Sequence, residues 1–220
     1  MQINKSNFKY LIGIDEVGRG PIAGPVAIGV FAFLKSEAKK LFNGVKESKQ
    51  LSEEKREIWF KKIEETKNIG LKNNKNIIDF EVAFQTEKVI DKKGISFAIG
   101  KALETSLEKL IKKNKIKTNE VLILLDGGLK ASSEYMNQKT IIKGDTKEKV
   151  IALASICAKV LRDRKMRKIA KKYPEYEFDI NKGYGTKRHY ERIKKYGLTD
   201  LHRKSFSKSF RKRTSILQKT

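Results

Sequence analysis

The 220-residue chain carries 50 Lys and Arg against 26 Asp and Glu, a formal net charge of +24, which is the electrostatic footprint of a polyanion binder. A single cysteine, Cys157, excludes an internal disulfide framework, and without a CxxC pair or a His/Cys cluster a structural zinc site is excluded as well, so any metal must be held by oxygen. No apolar run reaches the length of a membrane span, and MQINKSNFKYLIG offers no stretch before Asp15 long enough for a signal peptide; a cytoplasmic protein without membrane attachment is expected.

Taken in chain order, Tyr10 to Ile14 is a short apolar run ending at Asp15-Glu16, followed by GRGPIAGP and the apolar run Val26 to Leu34. This predicts strand, tight turn, strand. Glu53 to Glu65 reads as a helix with Ser52 at its N-cap, acids in the first turn, and Ile58, Trp59 and Ile63 on one face, Trp59 being structural. After a Lys/Asn-rich connector, Val82 to Asp91 and Ile95 to Ile111 read as helices separated by Gly94. Val121 to Leu125 is the uninterrupted apolar run of a strand buried on both faces, and it ends on Asp126-Gly127-Gly128. A further strand around Thr140 to Lys143 leads to Gly144-Asp145. From Thr146 to Lys172 a long helix is predicted, with Val150, Leu153, Ala154, Cys157 and Leu161 on its apolar stripe and Pro174 as its stop. The remainder has too little apolar content for a separate domain. The expectation is an α/β layered domain over 1–172 with a helical appendage and basic tail, 173–220, packed on it.

Charge clusters as well as accumulates: Arg162 to Lys172 holds seven basic residues and one acid, and Arg203 to Arg213 six and none. That points to nucleic acid, although dispersed lysines alone would describe a solvated face. Carboxylates carry the chemical signal. Asp15 and Glu16, Asp126, and Asp145 each follow an apolar strand, and sites in open α/β sheets gather at strand ends. Acids brought together repel unless cations lie between them, which makes Mg²⁺ or Mn²⁺ the natural resolution. Duller readings stand beside this one. Asp145 with Glu148 could be a capping box, and Asp126 could begin a turn. Two adjacent acids after an apolar strand have no such explanation, but Glu16 would have to lie where the strand is already turning, since neighbours on a strand face opposite ways.

The stretch GIDEVGRGPIAGPV, residues 13–26, resembles the opening motif of the type 2 ribonucleases H, the bacterial ribonuclease HII family. ESKQLSEEKR (47–56), LLDGG (124–128), KGDTKEKVIALASICAKVLRDR (143–164), KGYGTKRH (182–189) and LHRKSF (201–206) resemble later blocks of that family in the same order. The match is weak over Phe80 to Ala102. The resemblance implies an RNase H-like fold, a mixed five-stranded sheet flanked by helices with a small C-terminal helical appendage. It also implies an endoribonuclease that hydrolyses the RNA strand of RNA/DNA hybrids and cuts 5′ of single ribonucleotides embedded in duplex DNA. Hydrolysis would use two divalent ions, Mg²⁺ or Mn²⁺, and leave 5′-phosphate and 3′-hydroxyl ends.

The family's metal-binding carboxylates fall on Asp15, Glu16, Asp126 and Asp145, the same four reached from the strand ends. By the same resemblance, the backbone of Gly18, Arg19 and Gly20 would sense the ribose 2′-OH, Tyr184 would pack on the sugar, and Ser48 and Lys49 would contact phosphate. A monomer is expected, with RNA/DNA hybrid and ribonucleotide-containing duplex DNA as its partners. Asp163 is expected in an internal salt bridge, His189 and His202 in packing or phosphate contact, and Cys157 in the core. Another two-metal nuclease would share the acids but not the GRG and GYGT blocks; a non-catalytic RNA-binding protein would need no acids at strand ends.

Overall fold

The computed structural model describes residues 7–34, 42, 45, 51–72 and 78–206. Five strands, β1 Tyr10–Val17, β2 Val26–Leu34, β3 Ile78–Gln85, β4 Val121–Asp126 and β5 Gln138–Ile141, form one sheet in the order β3-β2-β1-β4-β5. β2 is antiparallel to β1 and β3, while β4 is parallel to β1 and β5. The described helices are α1 Glu53–Lys72, α2 Glu87–Lys93, α3 Ile95–Asn114, α4 Gly144–Lys147, α5 Lys149–Ala170, α6 Phe178–Asn181 and α7 Lys187–Tyr196. This is the mixed, helix-flanked sheet that the resemblance implies. No described helix is long and apolar enough to cross a membrane.

Alternation along the strands builds two cores. Ile12 and Ile14 of β1, with Ile123 and Leu125 of β4, pack on the α3 side beside Leu103 and Leu107. Leu11, Leu122 and Leu124 pack on the other side, with Phe60 and Ile63 of α1 and the apolar stripe of α5. Hence β4 reads VLILL without a polar break: all six of its residues are buried. Cys157 lies fully buried in the second core, as expected, and burial pushes its thiol well above the ordinary range.

Helix α5 rests directly on the backbone of β1 and β2. A Cβ at Gly13 would stand 2.2 Å from the Val150 carbonyl oxygen, and one at Gly29 would stand 2.3 Å from that of Ala154. Because the obstacle is helix backbone, no rotamer change relieves it.

The structure departs from the sequence reading at three places. Residues 78–85 form β3, paired with β2 from Ile78↔Phe33 to Gln85↔Val26, so the helix expected from Val82 starts only after Thr86, whose side chain accepts from the Val89 amide. Ile78, Phe80, Val82 and Phe84 have the period of a strand, and pairing with β2 overrides local helical preference. In α1 the buried face is Phe60 and Ile63, with Phe60 edge-on to Phe80 at 5.5 Å between centroids; Ile58 is 63% exposed. Ser52 does cap this helix, its hydroxyl accepting from the Lys55 amide. The third departure is a break in the long helix: β5 ends at Ile141, Lys143 adopts φ 54°, α4 is one turn, and Glu148 is extended before α5 begins.

Beyond α5, Tyr176, Phe178 and Ile193 form a third cluster with Ala23, Met166 and Ala170, and an isolated bridge joins Ala23 to His202. The tail after Phe206 lies outside the described residues.

The glycine contacts give a direct test. Gly13→Ala should destabilise the protein by about 3 kcal/mol through overpacking against helix backbone, measured by urea denaturation, whereas Gly100→Ala, where nothing lies within 4 Å of an added Cβ, should be neutral or slightly stabilising.

Candidate active site

Asp15 and Asp126 meet by register. The parallel pairing of β1 with β4 ends at Ile14↔Leu125, so each strand's next residue is an aspartate on the same face as Leu11 and Leu124, about 4.8 Å apart at backbone spacing. Both are buried, at 2% and 7% exposure. Asp145 follows in α4: the Asp126 Oδ1 accepts from the Gly144 amide at 2.5 Å, which ties the residue before Asp145 to the end of β4. Asp145 is 2% exposed. It is not an N-cap. The caps of α4 and α5 are Lys143 and Glu148, and neither caps with its side chain, so the capping-box reading fails. Asp126 does begin a turn through its carbonyl, which accepts from Leu129 N, but its side chain is engaged elsewhere.

Glu16 reaches the group differently from the expectation. The strand does not turn there: β1 continues through Val17, with Glu16 opposite Ile28. Because β4 has already ended, Glu16 overhangs its last residue. Burial pushes the Glu16 carboxyl above its usual range, the Arg19 guanidinium opposes this, and the charge of Asp126 adds to it. Its Oε1 pairs with Arg19 Nη1 at 3.3 Å, whereas Oε2 is buried without a hydrogen-bond partner.

A cavity of about 350 Å³ opens beside these acids, lined by Asp15, Glu16, the Gly18-Arg19-Gly20 turn and Tyr184, together with Arg56, Ser155 and Lys159. Residues from both ends of the sequence are thus brought to one opening. Asp126 and Asp145 are not among its lining residues. Arg56, Ser155 and Lys159 were not singled out in the sequence, although Ser155 and Lys159, four apart on α5, share the face opposite the apolar stripe. Ser48 and Lys49 lie outside the described residues.

Two buried arginines hold the turn. Arg203 donates from Nη2 to the Gly18 carbonyl at 2.6 Å, from Nη1 to Arg19 at 2.9 Å and from Nε to Gly24 at 2.9 Å. Arg162 donates to the carbonyls of Pro25 and Lys182. Gly18, at φ 88°, lies so close to Arg162 that a Cβ would sit 2.2 Å from Nε; no other residue fits there. Burial and the neighbouring Arg162 pull Arg203 down to about 10. Part of the basic cluster that begins at Arg162 is therefore engaged within the protein and is not free surface. Arg164 and Arg167 engage Glu57 at 2.6 and 2.8 Å, and Asp163 bonds Lys159 at 2.8 Å as expected of a salt bridge. Lys165, Lys168, Lys171 and Lys172 remain exposed.

Tyr184, 43% exposed, is held through its backbone. His189 Nδ1 lies 2.8 Å from the Tyr184 carbonyl oxygen and must donate to it. His189 Nε2, left as acceptor, faces His202 Nε2 at 3.2 Å, while His202 Nδ1 accepts from the Thr199 amide at 2.9 Å. The partners at each end thus assign both tautomers. Both histidines are buried, and burial lowers both, His202 to about 4 with His189 contributing.

Among the described residues no group of three or more His, Cys, Asp and Glu is placed so that it could hold a metal ion. The donors that the strand ends offer are carboxylate oxygens, and the buried Glu16 Oε2 is an acceptor that a cation would satisfy. Such a set fits a hard ion, Mg²⁺ or Mn²⁺, rather than zinc.

Residues 12–209 match the family model described as Ribonuclease HII. A ribonuclease HII of Clostridium beijerinckii is 43% identical over 201 residues, 91% of this chain and 68% of that one; one from Endomicrobium trichonymphae is 44% identical over 200 residues, 91% and 86% respectively. Among solved structures, ribonuclease H2 from Pyrococcus horikoshii OT3 superposes with a TM-score of 0.65 at 27% identity, covering 93% of this chain and 98% of that one. Bst-RNase HIII in complex with Mn²⁺ shares the fold with a TM-score of 0.63 at 19% identity, over 87% and 64%.

The histidine pair predicts a pH dependence. Folding holds both below their unfolded value near 6.5, so between that value and about 4 the unfolded state binds more protons, and stability falls as pH drops through this window. Thermal melts from pH 7.5 to 4.5 should show this loss, and His202→Asn should flatten it.

Proposed function

The chain belongs to the ribonuclease HII family, a family of RNase H-type endoribonucleases, and on that premise we propose that it cuts 5′ of single ribonucleotides embedded in duplex DNA as well as within the RNA strand of RNA/DNA hybrids. The observation that carries this reading is the shared cavity: Asp15 and Glu16 open onto the same space as the Gly18-Arg19-Gly20 turn and Tyr184. A group that can report a 2′-hydroxyl stands next to groups that can hold a cation.

In this reading Asp15, Glu16, Asp126 and Asp145 hold two divalent ions, Mg²⁺ or Mn²⁺. Bound there, the ions would supply an acidified water and charge neutralisation at the leaving oxygen. The protein's own residues do the rest. Arg203 turns the carbonyls of Gly18 and Arg19 inward, leaving the other side of the turn to the cavity, where backbone groups can reach a ribose. Tyr184 offers a ring for the sugar and a hydroxyl for the 2′-OH, the atom that marks a ribonucleotide. Exposed lysines along α5 and beyond it attract phosphates, and Ser48 and Lys49 are proposed to add phosphate contacts. Cleavage would leave 5′-phosphate and 3′-hydroxyl ends. The proposed working unit is a monomer, acting in the cytoplasm, with 173–220 serving the 1–172 catalytic domain as an appendage.

Asp15→Asn, Glu16→Gln, Asp126→Asn and Asp145→Asn should each lower turnover on the order of 10²–10³-fold without lowering the melting temperature of the metal-free protein, because each removes repulsion from a buried acidic group. Single-turnover assays and thermal melts check both halves. On a DNA duplex bearing one ribonucleotide, product mapping should place the cut 5′ of it. Tyr184→Phe should slow that reaction more than cleavage of a long hybrid; cutting of the hybrid alone by the unmodified protein would remove the role given to the turn and Tyr184.

A further inference from the structure

Two adjacent residues, His202 and Arg203, reach two separate elements that line the cavity. Arg203 grips the carbonyls of Gly18, Arg19 and Gly24 with three of its nitrogens. His202 connects through His189 to the carbonyl of Tyr184. Their backbone is itself pinned to the segment that follows the turn: Arg203 N donates to the Ile22 carbonyl at 2.8 Å, and His202 bridges to Ala23. On the far side Gly183 accepts at its carbonyl from the amides of Ile22 and Ala23. The turn and Tyr184, some 164 residues apart in sequence, are thus both referenced to one dipeptide.

We propose that the His202–Arg203 pair is a positioning device that fixes the separation and orientation of the Gly18-Arg19-Gly20 turn relative to Tyr184, and thereby sets selectivity for an embedded ribonucleotide. The inference rests on the proposed role of the turn and Tyr184 in sensing the 2′-OH. Its chemistry is directional. The His189–His202 contact requires one ring to donate and the other to accept; the carbonyl at one end and the amide at the other leave a single arrangement, His202 Nε2–H to His189 Nε2. Two freely packing rings would need no such order. Arg203 likewise uses the fork of its guanidinium to hold carbonyls that no single ammonium could span. A substrate marked by one hydroxyl depends on both sensing elements at once, whereas a hybrid offers a 2′-OH at every position and tolerates a misplaced sensor.

The test is the ratio of kcat/KM on duplex DNA with one ribonucleotide to kcat/KM on a long RNA/DNA hybrid. His202→Asn keeps an acceptor near the Nδ1 position but cannot reach His189, while His202→Gln can place its amide nitrogen where Nε2 stood. The first should lower the ratio about tenfold, as expected for a small misplacement of a sensing group; the second should retain most of it. Arg203→Lys should lower the ratio by a similar factor. Asp91→Ala loosens the same segment from its exposed side, since Asp91 accepts from the amides of Lys204 and Ser205; it should lower the ratio less, and it carries the test if the core variants do not fold. An unchanged ratio in folded His202→Asn and Arg203→Lys, or in Asp91→Ala alone if neither folds, would overturn the inference, as would equal losses in the Asn and Gln variants. If the unmodified protein ignores the embedded ribonucleotide, it is the functional reading that fails; if it cuts there and the variants keep its preference, only the positioning role does.

Discussion

The parallel pairing of β1 with β4 is the constraint on which the site depends. It ends at Ile14 and Leu125, and the alternation that buries Leu11 and Leu124 on the α5 side brings Asp15 and Asp126 to the same face at neighbouring strand ends. A one-residue slip would send one of them to the α3 side. Register is held by burial on both faces and by α5, which lies on the bare backbone of Gly13 and Gly29. The sheet thus delivers acids at the edge of a core that could not tolerate them a residue earlier. Glu16, which faces the other way, belongs to the group only because β1 outruns β4.

A second constraint comes from the end of the described chain. Buried guanidinium groups usually meet carboxylates; here Arg162 and Arg203 meet backbone carbonyls instead. That choice leaves positive charge beneath a turn whose outward side faces the cavity, and it makes the conformation of the turn a consequence of residues far away in sequence. The histidine pair does the same for Tyr184. The strand-end acids depend on the sheet, and the groups beside them depend on the packing of 173–206 against residues 18–25.

Much of this was legible in the sequence because the signals were local. Val26 to Leu34 and the VLILL run are strands at the expected positions, and the GRG block and Tyr184 of the GYGT block line one cavity. What was not legible was tertiary. Val82 to Gln85 has residues that a helix would also accept, and only pairing with β2 makes them a strand. The one-turn helix at Asp145 follows from the tie between Gly144 and Asp126, 18 residues back, which no window of sequence contains. The Arg162 to Lys172 cluster looked uniform as charge, yet Arg162 is buried while Arg164 and Arg167 are spent on Glu57. Arg56, Ser155 and Lys159 lie inside the blocks 47–56 and 143–164 without standing out in them, and it is the cavity they share that singles them out.

Mn²⁺ binding to the protein without nucleic acid, followed by electron paramagnetic resonance, reports whether register joins the strand-end carboxylates in one cation site. Saturable binding that weakens sharply in Asp15→Asn and in Asp126→Asn alike is the expected result, although these residues lie on different strands. Unchanged Mn²⁺ affinity in both folded variants would show that the strand ends form no such site.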